Sequence, residues 1–179
     1  MTTQKISLTI NGKPATCEVD VRQSLLDLLR EQGYTSVKEG CGVGECGACT
    51  VLVDGKPMDA CLCLAIRAAG RRIRTTEGES ENGQLSAVQQ AYLDTGAVQC
   101  GFCTPGLIMT STAFVEKHAG RGKVSRETIR REHAGNLCRC TGYEGIVRAV
   151  EQCLEAKAEP VQPADACACN LPKADRQKD

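Results

Sequence analysis

Two spaced sets of cysteines constrain this chain more than any other feature. The first is Cys41, Cys46 and Cys49, a C-x4-C-x2-C run, followed at a distance by Cys61 and Cys63 in the segment Ala-Cys-Leu-Cys-Leu. Such a run with a distant fourth cysteine is the plant-type [2Fe–2S] spacing. The reason is geometric: three thiolates on one tight loop wrap one side of a cluster, and a fourth arrives from across the fold. Gly40 stands just before these cysteines and Gly42, Gly44 and Gly47 between them. They let the backbone take positive φ and close around a cluster, and the freed N–H groups can point at sulfur. A zinc site competes with this reading, although structural zinc loops favour shorter spacings. Spacing alone does not choose between Cys61 and Cys63. Whichever does not ligate is expected to be a buried small hydrophobe.

The second set is Cys100-x2-Cys103 and then Cys138-x-Cys140. Four thiolates placed this way tie two helical hairpins together. Zinc is a stronger competitor here, because C-x2-C pairs are common in its four-thiolate sites. The C-x-C pair is tighter than zinc usually takes, and Gly101 and Gly142 again flank the ligands. A second [2Fe–2S] cluster is the sharper reading, since a first cluster needs somewhere to pass electrons.

Composition narrows the class. Thirteen cysteines in 179 residues fall below the usual mark for a disulfide scaffold, and an odd count in a chain of this length argues against a stapled secreted domain. The 22 basic and 22 acidic side chains balance, which disfavours a nucleic-acid binder. The longest apolar run, Ala60 to Ile66, is far too short to span a bilayer. The N-terminus lacks a secretory pattern. The expected setting is therefore reducing cytoplasm, where clustered cysteines more often hold metal. With no tryptophan and five Phe plus Tyr, two small cores would gain from metal ligation.

Hydrophobic patterning divides the chain. Ile6, Leu8 and Ile10 alternate with polar neighbours as in a half-buried strand. Asn11-Gly12 supplies a hairpin turn, and a second strand is expected over Ala15 to Val21. Ser24, with Asp27 three residues on, opens a helix carrying Leu25, Leu28 and Leu29, which Gly33 stops. Thr50 to Val53 reads as a strand, Asp54-Gly55 as a turn, and Arg71 to Thr75 as a last strand. Residues 1–78 are thus a small α+β domain. The polar segment Thr76 to Gly83 reads as a linker. Beyond it strand signals vanish. Leu85, Val88 and Tyr92 suggest one helix. Thr104 and Pro105 open a second, with Leu107, Ile108, Ser111, Phe114 and Val115 on one side. Ser125 caps a third carrying Ile129, and Ile146, Val147, Val150, Cys153 and Leu154 mark a fourth. Residues 79–157 are expected to form an all-α four-helix bundle, and 158–179 a disordered tail.

GCGVGECGACTVLVDG from Gly40, QCGFCTPG from Gln99 and GNLCRCTGY from Gly135 resemble the iron–sulfur subunit of the xanthine dehydrogenase family of molybdenum hydroxylases. The likeness is greatest to the small subunit of bacterial three-subunit xanthine dehydrogenases, and reaches to about Ala156. It implies a β-grasp ferredoxin-like domain with a [2Fe–2S] cluster on Cys41, Cys46, Cys49 and Cys61, favouring Cys61 over Cys63. It implies a helical [2Fe–2S]-binding domain with its cluster on Cys100, Cys103, Cys138 and Cys140. Gln99 matches the family glutamine that contacts the molybdopterin, and Cys140 the ligand nearest it. Molybdopterin then resides in a large partner subunit and FAD in a medium one. The chain would relay single electrons between them, in purine oxidation or in that of an aldehyde or another N-heterocycle. No catalytic residue is expected in this chain, which lacks a nucleophile with its base and a phosphate loop. A free-standing two-cluster carrier and a zinc-binding adaptor are the rival readings.

The remaining residues draw plainer expectations. Cys17 and Cys153 are read as packing residues, His118 and His133 as capping or surface groups, and Arg71 to Arg74 as a solvated face. Cys167-Ala-Cys169 matches no motif and is an exposed, reactive pair. The formal charge of zero counts thiols as neutral, whereas each oxidised cluster on four thiolates adds about −2. The cluster-loaded chain is therefore expected to focus at a lower pH than its folded iron-free form. Identical isoelectric points would refute the cluster reading.

Overall fold

The computed structural model describes residues 2–121 and 123–156. The tail and its Cys167-Ala-Cys169 pair lie outside them. Strands β1 (Thr3–Ile10) and β2 (Lys13–Asp20) form an antiparallel hairpin around Asn11-Gly12. Asn11 takes φ of 49° and Gly12 of 77°, the left-handed pair that such a two-residue turn requires. Helix α1 (Leu25–Glu31) follows, with the Ser24 hydroxyl accepting the Asp27 N–H as its N-cap. Strands β3 (Thr50–Val53), β4 (Lys56–Asp59) and β5 (Arg72–Arg74) complete a five-stranded sheet of order β2-β1-β5-β3-β4. β1 and β5 run parallel at its centre. A mixed sheet of this order with one helix packed against it is the β-grasp arrangement.

The core follows from alternation. Ile6, Leu8 and Ile10 point inward from β1, Cys17 and Val19 from β2, Val51 from β3 and Ile73 from β5. They meet Leu25, Leu26, Leu28 and Leu29 of α1. β4 emerges beside β3 although Lys56, Pro57 and Met58 are all exposed. An edge strand with no buried face has no hydrophobic signature to read.

Four helices make the second half: α2 (Ala87–Asp94), α3 (Thr104–His118), α4 (Arg126–Glu132) and α5 (Glu144–Glu155). Tyr92, Phe114, Leu107, Ile129, Ile146 and Val150 fill their core, and Cys153 is buried among them as expected. Three details differ from the sequence expectations. Leu85 precedes α2 and is exposed, and Ser86 caps that helix by a full capping box with Gln89. Cys103, not Thr104, occupies the N-cap of α3 and makes no side-chain capping bond. His133 is not at the surface. It is 2% exposed, and Nδ1 lies 2.8 Å from the Ile129 carbonyl, which can only accept. Nε2 is then the acceptor for Ser111 Oγ at 2.8 Å, and Ser111 Oγ in turn accepts from Tyr92 OH at 2.7 Å. Burial holds the imidazole below its ordinary pKa, so this chain of bonds is neutral. His118 stacks on Phe114 with ring centroids 4.4 Å apart.

The polar segment after β5 is ordered by charge pairing. Thr76–Glu79 form a 3-10 turn, and Thr76 Oγ1 donates to the Pro105 carbonyl. Arg74 is not a solvated residue like Arg71 and Arg72. It binds Glu79 at 2.8 Å and Glu116 of α3 at 2.8 Å, and the Glu79 side chain is only 2% exposed. This ion group ties the sheet to the helices. Arg74→Met would leave the buried Glu79 carboxylate unpaired, and is expected to cost about 3 kcal/mol. Glu79→Gln, which keeps hydrogen-bonding atoms in place, should cost less. Equal and negligible shifts in the thermal midpoint for both variants would contradict this role.

Candidate metal centres

The loop from Gly40 to Cys49 joins the end of the α1 region to β3. Gly42 and Gly44 take φ of 68° and 76°. This coils the loop so that the Val43 and Glu45 N–H groups point at Cys41 Sγ, at 3.5 and 3.3 Å. These backbone donors, Val43 first, bring the Cys41 thiol down to a pKa of about 6. Cys41 also lies against the Cys46 thiol. Cys49, at the start of β3, is buried, and burial pushes its thiol up to about 12. Its neighbour is the Cys61 thiol.

Cys63 does not join them. Its Sγ contacts the Leu64 carbonyl at 3.7 Å, and burial raises its pKa. Its backbone serves the fold: the Cys63 carbonyl accepts the Leu25 N–H at 2.6 Å at the start of α1.

The second set meets where three helices begin or end. Cys100 follows α2, Cys103 caps α3, and Cys138 and Cys140 lie between α4 and α5. Cys103 lies against Cys138, and Cys100 against Cys140. Burial pushes Cys103 up to about 12. Burial also opposes ionisation of Cys138, but the Thr141 hydroxyl and nearby backbone N–H groups outweigh it and its pKa is lowered. Cys140 is raised, chiefly by its bond to Cys100. Gln99, Cys100 and Cys140 are all exposed, so this site opens at the surface.

The loop Asn136–Cys138 is braced from several sides. Tyr143 OH accepts the Cys138 N–H at 2.7 Å and donates to the Asn136 carbonyl at 3.2 Å. Tyr143 does so from a left-handed conformation, φ 67°, at the N-cap of α5. Such a conformation is uncommon for a bulky residue and persists where its surroundings hold it. The Leu137 N–H donates to the Cys46 carbonyl at 2.9 Å, which joins the two cysteine loops directly. Gly47 and Gly106 allow the approach. A Cβ on Gly106 would stand 2.1 Å from the Gly47 carbonyl oxygen, and one on Gly47 2.5 Å from Asn136 Nδ2. Asn136 and Tyr143 escape a sequence reading because neither is a metal-ligand type.

Paired thiols suit one cofactor better than another. The thiols stand in four neighbouring pairs, Cys41/Cys46, Cys49/Cys61, Cys100/Cys140 and Cys103/Cys138. A binuclear cluster takes two thiolates on each iron. A mononuclear zinc site needs all four sulfurs about 2.3 Å from one point. The N–H groups aimed at Cys41 Sγ add the donors that a sulfur-rich anionic cluster needs. The residues present therefore fit two [2Fe–2S] clusters.

The comparisons with known proteins agree. Residues 8–66 match the family described as "2Fe-2S iron-sulfur cluster binding domain", and residues 75–151 the "[2Fe-2S] binding domain" family. The xanthine dehydrogenase iron-sulfur-binding subunit of Escherichia coli O157:H7 is 58% identical over 152 residues, which is 85% of this chain and 95% of that one. The nicotinate dehydrogenase small FeS subunit of Eubacterium barkeri is 48% identical, over 84% of this chain and 94% of its own. In the crystal structure of quinoline 2-oxidoreductase from Pseudomonas putida 86, a chain with 44% identity superposes with a TM-score of 0.82, covering 88% of this chain and 97% of that chain. With both cluster-binding domains present and these relatives matched along nearly their whole length, the chain belongs to the two-cluster iron–sulfur subunits of the xanthine dehydrogenase family of molybdenum hydroxylases.

Proposed function

We propose that this chain relays single electrons from a molybdopterin centre in a large partner subunit to FAD in a medium one, during oxidation of a purine such as hypoxanthine or xanthine. The observation that carries the reading is the contrast between the sites. Cys49 is buried, whereas Cys100 and Cys140 reach the surface beside Gln99. The second site is thus the more exposed of the two, which supports placing the pterin-bearing subunit on its side. Gln99 is placed to contact the pterin, and Cys140 is the ligand nearest to it. When bound, each [2Fe–2S] cluster takes up and gives out one electron at a time.

The chain's own residues hold and insulate. Cys41, Cys46, Cys49 and Cys61 ligate the first cluster, and Cys100, Cys103, Cys138 and Cys140 the second. The Val43 and Glu45 N–H groups favour negative charge at Cys41. Thr141 does the same at Cys138, with Oγ1 3.1 Å from Sγ. The division into domains at 1–78 and 79–157 places one cluster in each. The purine assignment rests on the likeness to the xanthine dehydrogenase subunit, since the pocket lies in the partner. Among the described residues no helix is long and apolar enough to cross a membrane. A reducing compartment such as the cytoplasm would keep the eight ligands free of disulfides.

The test begins with iron, zinc, acid-labile sulfide and copurifying subunits on natively purified protein. About four irons and four sulfides per chain with a molybdopterin subunit attached are expected. Zinc without sulfide would overturn the reading, and two clusters without partners would make the chain a free carrier. Ligand choice is then read from two variants. Cys61→Ala should lose about half the iron and the signal of one cluster, while Cys63→Ala should keep both. The reverse result would exchange the two assignments. Gln99→Ala should slow reduction of the clusters by purine without changing iron content. Unchanged turnover in that variant would count against the assigned interface.

A further inference from the structure

One buried amide touches the segments that carry ligands of both sites. Asn136 is 5% exposed. Its Nδ2 donates to the Gly47 carbonyl at 2.9 Å and to Thr50 Oγ1 at 3.1 Å. Its Oδ1 accepts from Thr110 Oγ1 at 2.8 Å. Gly47 lies between Cys46 and Cys49, and Thr50 follows Cys49. Asn136 itself is two residues before Cys138, and Thr110 lies on α3, the helix that Cys103 caps. Resting on the ligand assignment above, we propose that Asn136 is a positioning residue that fixes the separation and orientation of the two cluster loops.

The chemistry of the site requires this residue type. Gly47 O and the Thr50 and Thr110 hydroxyls surround Asn136, so the position needs donors on one side and an acceptor on the other. A carboxamide supplies both from one planar group. Asp would set a carboxylate against the Gly47 carbonyl. Leu would leave Thr110 Oγ1 without its acceptor, and an unmade bond to a buried polar group is costly. The neighbouring backbone completes the clamp. The Asn136 carbonyl is held by Tyr143 OH, and the Leu137 N–H by the Cys46 carbonyl. Gly106 backs the same spot by packing on the Gly47 carbonyl.

The experiment uses the assembled enzyme, as wild type, Asn136→Ala and Cys153→Ala. The last is a control that trims a buried side chain of the same helical core away from the clamp. Iron and sulfide are counted first. Wild-type protein without about four of each would sink the ligand assignment, and would do so before Asn136 is tested. Electron paramagnetic resonance is then recorded at partial and at full reduction. Two reduced clusters split each other's lines by an interaction that falls steeply with distance and depends on orientation. Asn136→Ala is expected to keep the individual signals of both clusters at partial reduction and to lose the mutual splitting at full reduction. Electron equilibration between the clusters after flash reduction should slow in parallel. Cys153→Ala should lower the melting temperature and keep the splitting. Wild-type splitting in Asn136→Ala would overturn the proposal, as would an equal loss in Cys153→Ala. If Asn136→Ala does not assemble, Thr110→Val removes only the donor to Oδ1. A reduced splitting there supports the proposal and an unchanged one overturns it.

Discussion

Thiolates held side by side repel one another, and a fold that places eight of them in four pairs must offset that repulsion. Two devices are visible. At Cys41 the loop aims backbone N–H groups at sulfur, and the thiol ionises easily. At Cys49 and Cys103 burial does the opposite, and the thiols resist ionisation. Each set therefore combines a thiol that ionises easily, Cys41 or Cys138, with one that resists, Cys49 or Cys103. In the first site Cys41 stands against Cys46 and the buried Cys49 against Cys61. In the second, Cys138, eased by Thr141, faces the resistant Cys103. Bound iron would supply the positive charge that lets all four ionise together.

The halves of the chain are interlocked and not strung on a flexible spacer. Both cores are small, and the chain has two Phe, three Tyr and no Trp to fill them. Neither hydrophobic cluster reaches the cysteine loops in full. Between the halves α3 packs on β3, Leu52 and Met109 are fully buried, and contacts with little tolerance add to this packing. Gly47 meets Gly106 with no room for a Cβ, and Arg74 gathers Glu79 and Glu116. Buried ion groups of this kind add little net stability but punish misalignment. Their use here suits a protein whose task depends on separation more than on strength.

The sequence was most legible where chemistry needs a residue type at a fixed spacing. The cysteine sets, the Asn11-Gly12 turn, the alternation of β1 and the leucine stripe of α1 all carry local signals of that sort. β4 was not legible, because an exposed edge strand has no buried face to pattern. Leu85 was read as part of the α2 face, since a single apolar residue ahead of Ser86 mimics the first turn of a helix. His133 was expected as a helix cap or a surface group; it is the C-cap of α4, but nothing local signalled that Ser111 and Ile129 would enclose it. Within the candidate sites, Asn136 and Tyr143 lie inside the GNLCRCTGY motif, but their roles were not legible, for a different reason. Their work is to hold loops that are close only in the folded chain. Gly47 and Asn136 are 89 residues apart, and no window of local sequence relates them.

The same distance bears on how function is divided within the chain. Residues that touch iron are read from spacing because metal geometry is local and strict. Residues that set the relation between clusters are spread over Gly47, Thr50, Gly106, Thr110, Asn136 and Tyr143, which come from both halves. A substitution at a ligand removes a centre outright. The proposal for Asn136 is that its removal leaves both centres in place and alters what passes between them. The neutral chain from Tyr92 through Ser111 to His133 fits this division. Its Ser111 adjoins Thr110 on α3, and the chain of bonds carries no charge into that part of the helical core.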